Sequence, residues 1–423
     1  MKKDEEGGQM KRLVLFSLFF LLGLVSVTAQ TDSVWVFSGK VIDAKTHKAM
    51  AYVSVTDRGT GTVTNADGEF TLKLKNKPTA VSFSCLGYKT RKLSPSDFKQ
   101  KGAMEATAVV RMSPSSVVLS EIIVERGDAR EILRNAIYQI DKNYPRVPNL
   151  LRGFYRETVQ KRQRFISISE GVVDLYKTSY KREDWRDGVA ILKGRRLLSM
   201  KSGDTLGVKL QGGPVLPIEL DVVKMRSFLL NDEELNNYEF SFRIPEKTDQ
   251  QMQYVIEMRP RLIMPYALYY GRFYIDQETL AFKRIELELD MRDTQKATSV
   301  MLMKEPLGLR FTPRELSLVV DYKTDDSGVT RINYIRNTMR FRCDWKRKVF
   351  KSNFIVTAEM VVTDINDKEG IKPIKGHDTF YRRDKFYDKV IFFKDPDFWG
   401  NENIIEPTED LLDGIEKIKR KLR

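Results

Sequence analysis

Between residues 34 and 112 apolar and polar side chains alternate in short stretches, and turn residues separate them closely. The stretches are VWVFSGKVID (34–43), AYVSVTD (51–57), TVTNADGEFTLKL (62–74), TAVSFSCLGYKTRKL (79–93) and AVVRM (108–112). A period of two is the mark of strands with one buried face. Ala51, Val53 and Val55 share one side of the second stretch, and Val81, Phe83 and Cys85 one side of the fourth. This spacing predicts an antiparallel sandwich over 34–112. Asp67-Gly68 predicts a tight hairpin turn, with Gly68 supplying a positive φ at little cost.

The pattern changes at 113. The connector 113–150 holds a helical stripe of Ile132, Leu133, Ala136, Ile137 and Ile140, with Asp128 as cap, Glu131 as its box partner and Pro145 as stop. From 151 to 400 the period of two returns in longer runs, at 165–180, 238–244, 253–258, 271–291, 309–323, 332–345 and 353–362. In the second arm of the 271–291 hairpin, Ile285, Leu287, Leu289 and Met291 face one way, and Arg284, Glu286, Glu288 and Asp290 the other. Arg340, Arg342, Asp344 and Lys346 line another polar face, opposite Met339, Phe341, Cys343 and Trp345. These runs predict one large curved antiparallel sheet, half-barrel-like, with a few flanking helices. Helices, a ligand or an envelope component must cover its apolar face. The tail, 401–423, predicts an amphipathic helix striped by Leu411, Leu412, Ile415 and Ile418. Acids at its start and bases at its end suit the helix dipole, and it is expected to dock on its own sheet. The fold class is therefore mainly β, a Greek-key sandwich followed by a larger sheet.

The stretch GTGTVTNADGEF (59–70) tests three ligand loops and fits none. It has no lysine where a phosphate loop needs one and no third glycine for a dinucleotide fingerprint. An EF-hand register with Gly68 at the sixth position places Val63 and Leu74 at ligand positions. The stretch is architecture. With its neighbours it resembles the carboxypeptidase regulatory-like domain, through Gly39, Val41, Asp43, Val53, Val55, Gly61, Thr62, Thr64, Gly68, Phe70, Leu86, Gly87 and Tyr88. The resemblance implies a prealbumin-like Greek-key sandwich of the kind that begins many surface and outer-membrane proteins of Bacteroidetes-type bacteria, without a peptidase site. GRFYIDQETLAFKRIELEL (271–289) is similar to the strand-turn-strand of periplasmic lipoprotein-carrier half-barrels. Segments 154–180, 212–224 and 395–411 resemble uncharacterised Bacteroidetes exported proteins with the same sandwich in front.

Charge and targeting narrow the class. The 423 residues carry a net charge of +14. Lys and Arg are spread along the strands, so nucleic acid is not expected; the charge reads first as a solvated surface, and the functional alternative is attraction to anionic envelope material. Lys11 and Arg12, then LVLFSLFFLLGLVSV (13–27) and Val27-Thr28-Ala29 read as a signal peptide, 1–29, in a chain whose translation starts at Met1 or Met10. The apolar run is short for a membrane span. The protein is expected in the periplasm or at the outer membrane. The only two cysteines, Cys85 and Cys343, read as small buried hydrophobes rather than as a disulfide scaffold.

Candidate chemistry is sparse. His47 and His377 sit in polar, loop-like contexts, and neither H-E-x-x-H nor G-x-S-x-G occurs. No catalytic residue, metal ligand or cofactor-binding residue is assigned, and no cofactor is implied. Asp221, Glu286, Glu288, Asp290, Glu315 and Asp321 are the carboxylates that a two-acid hydrolase would draw on. The aromatic runs at 265–274, around Tyr266, and at 386–399 are expected in the core. The sequence thus predicts an exported, non-enzymatic envelope protein with a binding or accessory role. Its expected partners are an envelope component, a lipid or an outer-membrane protein such as a transporter, with no nucleic acid and no obligatory metal. The alternative is a carboxylate-pair hydrolase acting on envelope or glycan substrates. N-terminal sequencing of the exported chain should begin at Gln30, and a start at Met1 or Met10 would overturn the cleaved signal.

Overall fold

The computed structural model describes residues 34–420 other than 116–127, 182, 184–185, 200–212, 244–252, 303–306, 347–350, 368–369, 377–378, 383, 394 and 396. The predicted signal lies outside the described residues, as does His377.

The front unit holds β1 (Trp35–Asp43), β2 (Ser54–Asp57), β3 (Thr60–Val63), β4 (Glu69–Leu74), β5 (Val81–Ser84), β6 (Arg91–Leu93), β7 (Lys99–Gln100) and β8 (Glu105–Met112). They form two four-stranded sheets, β4-β1-β8-β7 and β3-β2-β5-β6. Phe37, Val41, Val53, Val55, Phe70, Leu72, Val81 and Phe83 meet in one core between them. Each such side chain contributes about 1.5–3 kcal/mol on burial. One pairing departs from the expected antiparallel pattern, since β1 runs parallel to β8. β3 and β4 lie in different sheets, so the 62–74 stretch expected as a hairpin is instead a turn that crosses from one sheet to the other; there Asn65 Oδ1 accepts from the backbone N–H of Asp67 and of Glu69, at 3.0 and 2.8 Å. Gly68 has φ +77°, and a Cβ there would lie 2.6 Å from the carbonyl oxygen of Val41.

The connector carries α1 (Ala129–Tyr138) and α2 (Ile140–Asn143). Asp128 caps α1 by accepting from Arg130 N–H at 3.0 Å. The large unit then runs through β9 (Asn149–Lys161), β10 (Arg164–Lys177), β11 (Gly188–Leu198), α3 (Leu216–Glu219), α4 (Asp232–Leu235), β12 (Tyr238–Phe242), β13 (Gln253–Pro260), β14 (Tyr269–Asp276) and β15 (Phe282–Leu289). It continues with α5 (Thr294–Met301), β16 (Leu309–Thr324), β17 (Thr330–Trp345), β18 (Ser352–Asn366), β19 (Ile391–Phe392) and α6 (Glu409–Lys419). Its strands make one eleven-stranded sheet in the order β12-β13-β14-β15-β16-β17-β18-β9-β10-β11-β19. Only β19 pairs in parallel, with β11. Among the described residues no helix is long and apolar enough to cross a membrane.

The apolar face of this sheet is covered by the chain itself. Tyr155, Val173, Phe273, Ile285, Val320 and Met360 pack against Leu133, Ala136 and Ile140 of α1 and α2, against Leu216, Val222, Leu229 and Leu235, and against Phe380 and Phe386. Glycine permits part of that cover. A Cβ on Gly194 would lie 2.3 Å from Val390, so the segment before β19 lies flat only because β11 has none there. α6 docks on β10 and β11, where Leu411, Ile415 and Ile418 meet Ile168 and Leu197. Leu412, expected in the apolar stripe, is 49% exposed, because it is turned about 100° from Leu411 around the helix.

The opposite face carries a row of charge across the strands. Glu257, Arg272, Glu286, Val319, Arg336, Glu359, Arg156, Glu170 and Arg195 stand opposite one another in successive pairings from β13 to β11. Every position except Val319 is charged, and the sign alternates along each uninterrupted run. Arg272 reaches Glu286 at 3.3 Å and Arg156 reaches Glu359 at 3.4 Å. Glu170 lies between Arg156 at 2.8 Å and Arg195 at 2.9 Å, with all three buried. Burial alone would raise the Glu170 carboxyl, but the two guanidiniums outweigh it and hold the pKa below the usual value.

A C-terminal strap crosses this buried stretch and ties the sandwich down. Arg156 donates to the carbonyl of Ile405 at 2.7 Å. Trp399 and Ile405 share a core with Phe154, Val172, Tyr334, Val361 and Val63 of β3. Thr62 Oγ1 donates to the Ile404 carbonyl at 2.7 Å, and Asn65 Nδ2 to the Pro407 carbonyl at 3.2 Å. Asn403 exchanges hydrogen bonds with the backbone of Lys73 at 2.8 and 2.9 Å. The turn between β3 and β4 is thus also the sandwich's attachment. Replacing Glu170 by Ala should cost about 3–5 kcal/mol, because it strands two buried guanidiniums. Urea denaturation of the purified chain measures this, and a loss below about 1 kcal/mol, the range of a surface pair, would contradict it.

Candidate functional site

Where the sandwich meets the large sheet, a cleft of about 510 Å³ opens between β2, β5 and the turn after β5 on one side and β15, β16 and β17 on the other. Its walls are polar. Ser54, Ser82, Ser84, Thr90 and Thr324 bring hydroxyls, Asn333 an amide, and Lys92, Lys283, Arg284 and Lys323 cations. Asp276, Asp321 and Asp326 supply the facing carboxylates.

Most of these charges are already paired. Arg284 grips Asp321 with two guanidinium nitrogens, Nε on Oδ1 and Nη2 on Oδ2, the latter at 2.9 Å. Arg284 Nη1 also lies 3.7 Å from Glu286. Burial works against the Arg284 cation, but Asp321 more than restores it and pushes its pKa above the ordinary value. Lys283 Nζ donates to Thr324 Oγ1 at 3.0 Å and lies 3.6 Å from Asp276. Tyr88, at the rim, donates to Asp43 Oδ2 at 2.8 Å. Asp43 also accepts from Thr46 N–H at 2.6 Å. The Thr46 bond first and the Tyr88 bond second bring its carboxyl down to about 2.

Lys323 differs. Its ammonium hydrogen-bonds Thr56 Oγ1 of β2, which bridges the two units, and it has no close carboxylate among the described residues. Burial brings its pKa down to about 8, with Asp326 pulling weakly the other way. An ammonium has three donors, and Thr56 takes one of them.

The carboxylates singled out from the sequence fall into several places. Arg284 pairs with Asp321 in the cleft wall and with Glu286, which does not line the cleft. Asp290 is held by Arg292 at 2.6 Å and Glu315 by Arg340 at 2.8 Å. Glu288 is exposed near the end of β15. Asp221 is buried beneath the helical cover, away from the cleft. His47 lies in the exposed turn after β1. Cys343 is buried as expected, whereas Cys85 is half-buried and lines the cleft. Burial raises the Cys85 thiol above its ordinary pKa. Phe386 and Trp399 are core residues, but Tyr266 is 38% exposed, with its hydroxyl on Glu234 at 3.2 Å. Among the described residues no three His, Cys, Asp or Glu side chains cluster as metal ligands. Sequence reasoning missed Lys323, Lys283 and Thr56. Lys323 sits in an ordinary alternating strand, and only the docked sandwich buries it.

Comparison with known proteins identifies the front unit. Residues 37–124 match the family model of the CarboxypepD_reg-like domain. No curated protein matches the chain. Among solved structures the chain is similar to a DUF1329 family protein from Desulfovibrio piger, at 11% identity and TM-score 0.22, over 58% of this chain and 96% of that one. It is also similar to a protein of unknown function from Bacteroides fragilis, at 9% identity and TM-score 0.16, over 79% of this chain and 99% of that one. A third is MucB in complex with MucA(peri), at 13% identity and TM-score 0.17, over 59% of this chain and all of that one. With TM-scores this small, none of the three fixes what the large sheet does.

The depressed pKa of Lys323 sets a pH test. Below about pH 8 both folded and unfolded chains carry the ammonium, and the folded chain bears the full burial cost. Between about 8 and 10.5 the folded state has released the proton while the unfolded state keeps it, so folding gains stability as pH rises. Wild type should therefore gain on Lys323→Met across that window in denaturation measured at a series of pH values. A constant difference would contradict the assignment.

Proposed function

We propose that the protein is an exported, non-enzymatic accessory or binding protein of the cell envelope, and that the junction cleft seats a hydroxylated anionic ligand such as a saccharide phosphate. The observation that carries this reading is the wall of hydroxyls around Lys323. Lys323 is half-buried, and its ammonium bridges to Thr56 and retains donors for a further acceptor. The cleft holds four cations against three carboxylates, which favours an anion. The serine and threonine hydroxyls suit a sugar, since they donate and accept alike. The regulatory-like domain in front is typical of exported proteins and supports the envelope setting. The large sheet's apolar face favours this cleft over a lipid pocket, because helices and loops of the same chain occupy it.

A second reading has one observation of its own. Glu286 and Asp321 both pair with Arg284, and Asp321 lines the cleft, which gives the carboxylate-pair hydrolase a place to act. Calorimetric titration separates the two. Glucose 1-phosphate should bind, free glucose should not, and Lys323→Met should weaken binding by about tenfold or more, ~1.4 kcal/mol. Equal affinity of wild type and Lys323→Met would overturn the cleft assignment. Release of inorganic phosphate or reducing sugar during the titration would favour the hydrolase.

A further inference from the structure

We propose that Lys177 and Asp221 become joined by an intramolecular amide bond, with Asp187 as the group that transfers the proton. The inference is independent of the cleft. Lys177 ends β10, Asp187 stands just before β11, and Asp221 follows α3. All three side chains are at most 1% exposed. Lys177 Nζ lies 2.7 Å from Asp221 Oδ2 and 3.8 Å from Asp187 Oδ2. Even so, Lys177 Nζ and Asp187 Oδ2 have no aligned hydrogen-bond partner among the described residues. The nitrogen is in van der Waals contact with the carboxyl group but misdirected for a hydrogen bond.

The second lysine of the site shows what a settled buried ammonium looks like. Lys224 Nζ donates to the Thr178 carbonyl at 2.8 Å, to Thr178 Oγ1 at 2.8 Å and to the Ser179 carbonyl at 2.6 Å. It lies 3.7 Å from Asp187 Oδ1, which also accepts from Thr178 N–H at 2.8 Å. Two cations and two anions therefore share one dry site, and desolvation weighs on each. Condensation of Lys177 with Asp221 removes one ion of each sign and leaves Lys224 to neutralise Asp187.

The Asp221 carboxyl is arranged for attack. Tyr322 donates to Oδ1 at 2.9 Å, and Lys224 N–H points at the same oxygen from 3.4 Å. Tyr180 donates to Oδ2 at 2.6 Å. Burial first and the Asp221 charge second raise both phenols well above their ordinary pKa, so they stay protonated as donors. In the first step a proton passes from Lys177 Nζ to Asp221 Oδ2, giving an amine and a carboxylic acid. Nζ then attacks Cγ, and the charge that develops on Oδ1 is held by Tyr322 and the Lys224 N–H. Asp187 Oδ2 takes the second proton from Nζ and passes it to the departing Oδ2 hydroxyl. The Nζ–Cγ bond forms, the Cγ–Oδ2 bond breaks, and one water leaves. No oxidant or reductant is required. The product ties β10 to the segment around α3 that covers the sheet's apolar face.

The test is mass spectrometry of the full chain after denaturation and trypsin digestion. The peptides holding Lys177 and Asp221 should appear as one branched species, lighter than their sum by one water, with no cleavage after Lys177. In Asp187→Asn the same two peptides should separate, with cleavage after Lys177 restored. Separate peptides from wild type would overturn the proposal, whatever the variant does. A branched species that persists in Asp187→Asn would overturn the role given to Asp187.

Discussion

Glu170 sits between Arg156 and Arg195 with no access to water, and much of the architecture is fastened there. A buried carboxylate is tolerated only when its charge is answered at close range, and here two guanidiniums answer it from adjacent strands. Arg156 spends a further donor on the Ile405 carbonyl, so the same ion cluster fixes the strap. Arg195 stacks its guanidinium over Phe393 and Trp399 at 3.6 and 4.9 Å, which seats the aromatic start of that strap. The strap in turn holds the β3–β4 turn through Thr62, Asn65 and Asn403. β3 pairs with β2, whose Thr56 meets Lys323 at the cleft. Loosening Glu170 would therefore reach Lys323 through a connected set of contacts.

The two faces of the large sheet solve their burial in different ways. One is apolar and is filled by helices and loops that belong to the same chain. The other is charged along one row, and only its β17-to-β11 portion is roofed, by the sandwich and the strap. Toward β13 the row is solvated, and its pairs, such as Arg272 with Glu286, are the modest kind found at surfaces. Like residues in one row thus differ in energetic weight according to what lies above them. At the junction, polar walls from the two units face each other without complete mutual satisfaction.

Local pattern was the legible part of the sequence. Alternation marked most strands of both units but not β9 or β11, whose Gly153 and Gly194 and buried arginines interrupt the pattern; Gly68 marked its turn, and Leu133, Ala136 and Ile140 marked the inward side of the connector helix. The regulatory-like domain was legible because its turn glycines and alternating valines sit at fixed spacings. Contacts made over long sequence separations were not legible. Nothing in Thr62 or Asn65 foretells a strap more than three hundred residues away, and nothing in Lys323 foretells the sandwich that buries it. The parallel pairing of β1 with β8 escaped for the same reason, since alternation gives a strand's faces but not its neighbour's direction. Leu412 shows the limit within one helix, where two adjacent leucines cannot share a side.

Two buried lysines and one half-buried one show how environment decides what an ammonium can do. Lys224 has its three donors answered by carbonyls and a hydroxyl, and it is a fixed structural cation. Lys323 has one hydroxyl partner in a cleft open to solvent, and burial brings its pKa down to about 8. It therefore answers to pH and to whatever anion enters. Lys177 is fully enclosed, lies 2.7 Å from an oxygen of a carboxyl group flanked by donors and has no aligned partner of its own. A nitrogen so placed gains little from remaining an ion, because its attraction to Asp221 must offset the desolvation of both groups. Conversion to an amide removes that opposition. Composition treats these residues alike; the number of answered donors and the route to water set them apart.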